Sequence, residues 1–284
     1  MTAATLPTPL VSAPQLLAAR AAGLAPAILD CSFDLADTTA GRRAFAQGHL
    51  PGARYVHLDE DLSAPKTGRN GRHPLPTREA WAATLGRLGI GPGTPVVVYD
   101  AQGSMYAARA WWMLRWVGHR AVSVLDGGIA AWREAGGATE AGEGPAPAAA
   151  APYPVCESLV RSIDADSLLK SLGRVALLDA RAGERFRGEV EPLDARAGHI
   201  PGARSRFFKD NLDASGRFRP APELRAAFER YGKPPAEVVH QCGSGVTACH
   251  NLLAMEIAGL EGLVLYPGSW SEWSADPSKP VAVG

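Results

Sequence analysis

The chain has 284 residues, with 29 Lys and Arg against 29 Asp and Glu for a formal net charge of zero, and 46% of its residues are hydrophobic. That balance excludes a partner held by a broad basic surface, such as a nucleic acid, and excludes an acidic disordered chain; a globular protein of about two domains remains. No apolar stretch approaches the ~20 residues that span a bilayer, and the N-terminal segment lacks the basic-then-apolar order of a secretory signal, so the expected location is the cytoplasm, away from membranes.

In chain order, the first apolar run is Ala27–Asp30, followed by the heptapeptide GHLPGAR at 48–54. Residues 65–74 (PKTGRNGRHP) carry no core pattern, and 78–88 are amphipathic. A second run, Val96–Tyr99, enters the loop Asp100-Ala101-Gln102-Gly103-Ser104; a helical pattern follows at 107–117, and a third run closes on Gly and Trp over 122–132. Residues 140–154 (EAGEGPAPAAAAPYP) have the composition of a linker. The same order then returns: Ala176–Asp179, the heptapeptide as GHIPGAR at 198–204, an amphipathic 222–230, the run Val238–Gln241 ending at Cys242, a helical 246–258, and a closing run over 263–273. The heptapeptides lie 150 residues apart but the closing residues Trp132 and Trp273 only 141, so the first copy holds extra residues, assigned to 65–74. Short β-branched runs alternating with amphipathic segments predict an α/β fold: two tandem domains, each a mainly parallel sheet flanked by helices. The expected division is a first domain over 1–139, a linker over 140–154 and a second domain over 155–284.

In such sheets ligands bind beyond the carboxyl ends of strands, where loops enter helix N-termini. The second copy places Cys242-Gly243-Ser244-Gly245-Val246-Thr247 there. A Cys at that position sits in a concavity of backbone N–H groups at the positive end of a helix dipole, which favours a thiolate and holds negative charge on a covalent adduct. The glycines let the backbone curl around the sulfur. The alternative is a buried structural Cys beside a tight turn. The four cysteines, Cys31, Cys156, Cys242 and Cys249, contain no Cys-x-x-Cys pair, which disfavours a disulfide scaffold or a structural zinc site, so no metal is expected. Cys249 falls inside the following helix and is assigned to the core. A cysteine phosphatase closes its loop with an Arg six positions after the nucleophile to grip a phosphoryl dianion; here that position is Ala248 and the loop has no cation.

The duplicated heptapeptide, the CGSGVTAC loop at 242–249, the Pro267-Gly268-Ser269-Trp270 segment and Asp126-Gly127-Gly128 together resemble the two-domain rhodanese family over nearly the whole chain. The Cys-Gly-Ser-Gly-Val-Thr loop is similar to that of the 3-mercaptopyruvate branch; the thiosulfate-preferring branch usually carries Cys-Arg-Lys-Gly, whose cations suit a dianion, so a monoanionic keto thiol is favoured. The resemblance implies a ping-pong sulfurtransferase. Cys242 takes sulfur from the donor as a persulfide, and a thiol, thioredoxin or cyanide acceptor removes it, with no cofactor. It implies substrate binding by Gly243, Gly245, Val246, Thr247 and Arg185, and a proton relay of Ser244, His73 and Asp59. Where the branch usually has a second substrate Arg, in a Glu-Pro-Arg context, this chain has Glu191-Pro192-Leu193; Arg196 is the nearby candidate to replace it. The first copy has Asp100 in place of the nucleophile, so its expected role is to pack on the active domain and supply one wall of the cleft. His49, His199, Asp30 and Asp179 occur in both copies and are read as structural. Three function classes remain at this point: a sulfurtransferase using mercaptopyruvate or thiosulfate, a cysteine phosphatase or arsenate-reducing enzyme, and a persulfide carrier without a preferred small donor.

Overall fold

The computed structural model describes residues 5–146 and 151–284, so part of the expected linker, 147–150, lies outside the described residues. The chain forms two compact units that are interleaved in sequence. Among the described residues, the first comprises those within 1–62, 76–159 and 215–217, and the second comprises 63–75, 160–214 and 218–284. The segment expected as an insertion in the first copy therefore packs with the second unit. The units are discontinuous, whereas the division drawn from the sequence, 1–139, 140–154 and 155–284, is contiguous, because a boundary placed by composition cannot register a strip that leaves its own copy.

In the first unit five strands, β1 (Leu10–Val11), β2 (Ala27–Asp30), β3 (Ala53–Tyr55), β4 (Val96–Tyr99) and β5 (Val122–Leu125), form one sheet in the order β1-β5-β4-β2-β3. Every pairing is parallel. Helices α1 (Ala13–Ala21), α2 (Ala40–Gln47), α3 (Arg78–Arg87) and α4 (Ala107–Trp116) make the four crossovers, and α5 (Gly128–Glu134) follows the last strand. The second unit repeats the plan with β6 (Arg161–Ser162), β7 (Ala176–Asp179), β8 (Arg204–Ser205), β9 (Val238–Gln241) and β10 (Val264–Leu265) in the order β6-β10-β9-β7-β8, again all parallel. Its helices are α6 (Ala165–Ser171), α7 (Gly183–Arg187), α8 (Ala221–Glu229), α9 (Thr247–Ile257) and α10 (Ser269–Ala275), with 3-10 turns at Phe208–Asn211 and Pro235–Glu237.

The central strands β2, β4, β7 and β9 are buried at every residue, which is why they read as unbroken apolar runs rather than as alternation. One core cluster in the first unit gathers Val97, Leu125, Phe45 and Trp132; its counterpart in the second gathers Val239, Leu177, Trp270 and Trp273. The repeated heptapeptide builds the same turn twice. His49 Nδ1 lies 2.8 Å from the Phe45 carbonyl with its ring stacked on Phe45 at 3.8 Å, and His199 Nδ1 lies 2.9 Å from the Phe186 carbonyl with its ring stacked on Phe186 at 4.0 Å. Among the described residues no helix is long and apolar enough to cross a membrane.

Candidate active site

Strand β9 delivers its last residue, Gln241, to a loop that turns into α9 at Thr247, so Cys242 stands at the carboxyl end of the central strand of its sheet. The loop is held by the segment before α10. Cys242 N–H donates to Ser269 Oγ at 3.1 Å, Trp270 N–H donates to the Cys242 carbonyl at 2.9 Å, and Ser271 N–H donates to the Gly243 carbonyl at 2.9 Å. Cys242 is buried, and the Ser244 N–H points at its sulfur from 3.4 Å. Gly245 has φ +75°, and a Cβ there would fall 2.3 Å from the Pro267 carbonyl oxygen, so glycine is required twice over. At Gly243 a Cβ would lie 2.9 Å from Arg72 Nη2 and 3.5 Å from Arg185 Nη1, so the missing side chain leaves room beside two guanidinium groups.

Those two cations share counter-ions. Arg72 Nη1 is 2.5 Å from Asp194 Oδ1, while Arg185 Nη2 is 3.0 Å from Asp194 Oδ2 and 2.7 Å from Glu191 Oε1. Burial pushes the Asp194 carboxyl up, and Arg72 and then Arg185 act against that. The Nε of both arginines is buried without a hydrogen-bond partner. A second pairing links strip and loop: His73 Nδ1 lies 2.7 Å from Ser244 Oγ, with both side chains buried.

Of the residues expected at the site, Cys242, Gly243, Ser244, Gly245, His73 and Arg185 come together in the second unit, with Val246 and Thr247 forming the entry to α9. Asp59 belongs to the first unit, where its backbone N–H donates to His57 Nδ1 at 3.2 Å. Arg196 does not serve the loop. Its guanidinium donates to the carbonyls of Trp273, Ser274, Asp276 and Lys279, closing the C-terminal end of α10, where helix carbonyls lack intrahelical donors. The residue expected to replace the missing substrate Arg thus directs four of its five guanidinium N–H donors to backbone carbonyls. Leu193 is about half exposed and brings no charge. Arg72 was missed. Its only sequence signal was adjacency to His73 in the PKTGRNGRHP strip, which contains three cations with nothing local to rank them. Cys249 is fully buried in α9, its thiol donating to the Gly245 carbonyl at 3.3 Å. Among the described residues, no group of three His, Cys, Asp or Glu side chains is placed to hold a metal ion.

The corresponding loop of the first unit is built around an anion of its own. The Asp100 carboxylate accepts the N–H groups of Gln102 and Ser104 on Oδ1 and of Tyr106 and Ala107 on Oδ2, at 2.7–2.9 Å. Burial pushes its carboxyl up, while those four donors favour the ionised form. The side chain at this position thus lies where a ring of N–H groups converges, the surroundings that the sequence assigned to the thiolate in the other copy.

The rhodanese-like domain family matches residues 12–135 and again 164–276. A Pseudomonas aeruginosa protein named "Probable 3-mercaptopyruvate sulfurtransferase" is 48% identical over 277 residues, covering 95% of this chain and 96% of the relative. A chicken (Gallus gallus) thiosulfate sulfurtransferase is 34% identical over 281 residues, covering 93% and 92%. The crystal structure of a 3-mercaptopyruvate sulfotransferase from Escherichia coli superimposes with a TM-score of 0.76 at 31% identity, covering 94% of this chain and 100% of that one.

Proposed function

Since the chain belongs to the rhodanese-like family and is an enzyme of the sulfurtransferase type, we propose that it moves sulfur from 3-mercaptopyruvate through a persulfide on Cys242 to a thiol, thioredoxin or cyanide acceptor. The observation that carries this reading is the pair of guanidinium groups, Arg72 and Arg185, beside the side-chain-free Gly243, the residue that follows Cys242. A donor whose carboxylate meets those groups has its thiol end directed at Cys242.

The Cys242 thiolate attacks the donor sulfur, the new S–S bond forms, and the S–C bond breaks with its electron pair left on carbon. The resulting enolate takes a proton and leaves as pyruvate. The hydrogen bond between Ser244 and His73 is where that proton can be held and handed over. The Ser244 N–H aimed at Sγ is a ready donor to a negative sulfur. An acceptor nucleophile then takes the outer sulfur and regenerates the thiolate, closing a ping-pong cycle that uses no organic cofactor.

Thiosulfate is the second reading. It is supported by the relative of that name and by the presence of two arginines that the loop sequence alone does not contain. Steady-state rates decide between them: pyruvate release from mercaptopyruvate is expected to be much faster than thiocyanate formation from thiosulfate and cyanide. The reverse order would replace the donor, and negligible rates with both would leave a persulfide carrier. Cys242→Ser is expected to abolish transfer and Cys249→Ser to retain it; loss of turnover in a folded Cys249→Ser protein would bring the second thiol into the chemistry.

A further inference from the structure

Asp194 sits between the two guanidinium groups next to the nucleophile loop, one carboxylate oxygen on each: Oδ1 at 2.5 Å from Arg72 and Oδ2 at 3.0 Å from Arg185. Its side chain is 3% exposed, against 20% and 19% for the two arginines, so the acid is the inner member and the cations face outward. Glu191, 4% exposed, takes a further contact from Arg185. Glu191 also faces Arg181, itself paired with Asp179, so three cations and three carboxylates leave the cluster with no net charge, although its outer face is that of an anion cradle with the Arg72 and Arg185 Nε donors buried and unpartnered.

We propose that Asp194 is a specificity-determining residue for the sulfur donor: a resident counter-anion that neutralises the Arg72–Arg185 subsite and so admits a monoanion while discriminating against a dianion. This deepens the proposed function and rests on its assignment of the donor's anionic end to these arginines. The physical basis is that Coulomb repulsion from a fixed charge is proportional to the charge on the ligand. One resident negative charge penalises a dianion twice as much, in free energy, as a monoanion at the same place. Specificity built by a repulsive element needs no extra contact with the favoured donor. The same carboxylate pins both guanidinium planes, so the cradle is pre-shaped before the donor arrives.

The test separates binding from turnover. In a Cys242→Ala background, which cannot take up sulfur, calorimetry at fixed ionic strength measures the affinities of thiosulfate, a dianion, and pyruvate, a monoanion, with Asp194 intact and in Asp194→Asn. Removing the charge is expected to tighten pyruvate by about tenfold and thiosulfate by about the square of that, roughly a hundredfold, since the logarithm of affinity follows ligand charge. Equal gains for the two ions, or no gain, would overturn the proposal. So would an absence of binding in both proteins while the unaltered enzyme releases pyruvate from mercaptopyruvate, an outcome that leaves the function standing. Conversely, the expected selectivity shift together with no pyruvate release by the unaltered enzyme would sink the function and keep the role of Asp194. Asp194→Ser provides the same comparison should the Asn variant not fold, and Asp194→Glu, which retains the charge, is expected to keep thiosulfate binding weak.

Discussion

Arg196 shows how little a single cation in sequence says about its use. Its four carbonyl partners, Trp273, Ser274, Asp276 and Lys279, lie 77–83 residues further along the chain, and only the folded chain brings them within reach. Hydrogen bonds from a charged donor contribute about 1.5–3 kcal/mol where the partner would otherwise be buried unmet. Arg196→Ala is therefore expected to lower the melting temperature by several degrees while leaving the donor KM unchanged. A raised KM with unaltered stability would return Arg196 to the donor site. Cys242 was legible for the opposite reason: its distinguishing surroundings, a strand end, two glycines and a helix start, are all local in sequence. Arg72 was not, because the glycine it flanks is 171 residues away, at Gly243.

At the scale of elements, β9 carries an acid-sensitive histidine just before Cys242. His240, two residues before Cys242, is fully buried, and its Nε2 lies 3.0 Å from the Met255 sulfur. Burial first, and the Arg206 charge second, push its imidazole down to about 3 from an ordinary value of 6.5. Between those values the unfolded chain binds a proton that the folded chain refuses. Stability is thus complete above about pH 6.5 and declines as pH falls toward about 3. His240→Leu is expected to flatten that acid limb of the stability curve, measured by denaturant unfolding at several pH values; an unchanged slope would show that other groups set it. The run Val238–Gln241 read as a strand from its valines, and β9 is one, with all four residues buried. That the His within it is held neutral depends on packing from α9, which no local pattern reports.

For the molecule as a whole, the repeat was legible because both copies keep the same order of runs and the same heptapeptide, and the two sheets do share one strand order. The destination of residues 63–75 was not legible, since a segment without a core pattern gives no sign of the unit it will join. His73 arrives at Ser244 on that strip, 2.7 Å away. With the function proposed above, His73→Ala is expected to slow pyruvate release by about 10²-fold or more, the usual scale of a lost proton-transfer partner, with circular dichroism unchanged. An unaltered rate would reduce the strip to packing.

The strip also bears on how such a chain can evolve. The first copy carries Asp100 where the second has Cys242, yet residues that pack with the second unit are encoded within it. A single genetic cut between the copies would leave Cys242 in one product and Arg72 with His73 in the other. Losing the first copy while keeping that pairing therefore demands two changes, the deletion and the rebuilding of the strip elsewhere, a linkage that favours keeping a duplicated chain double.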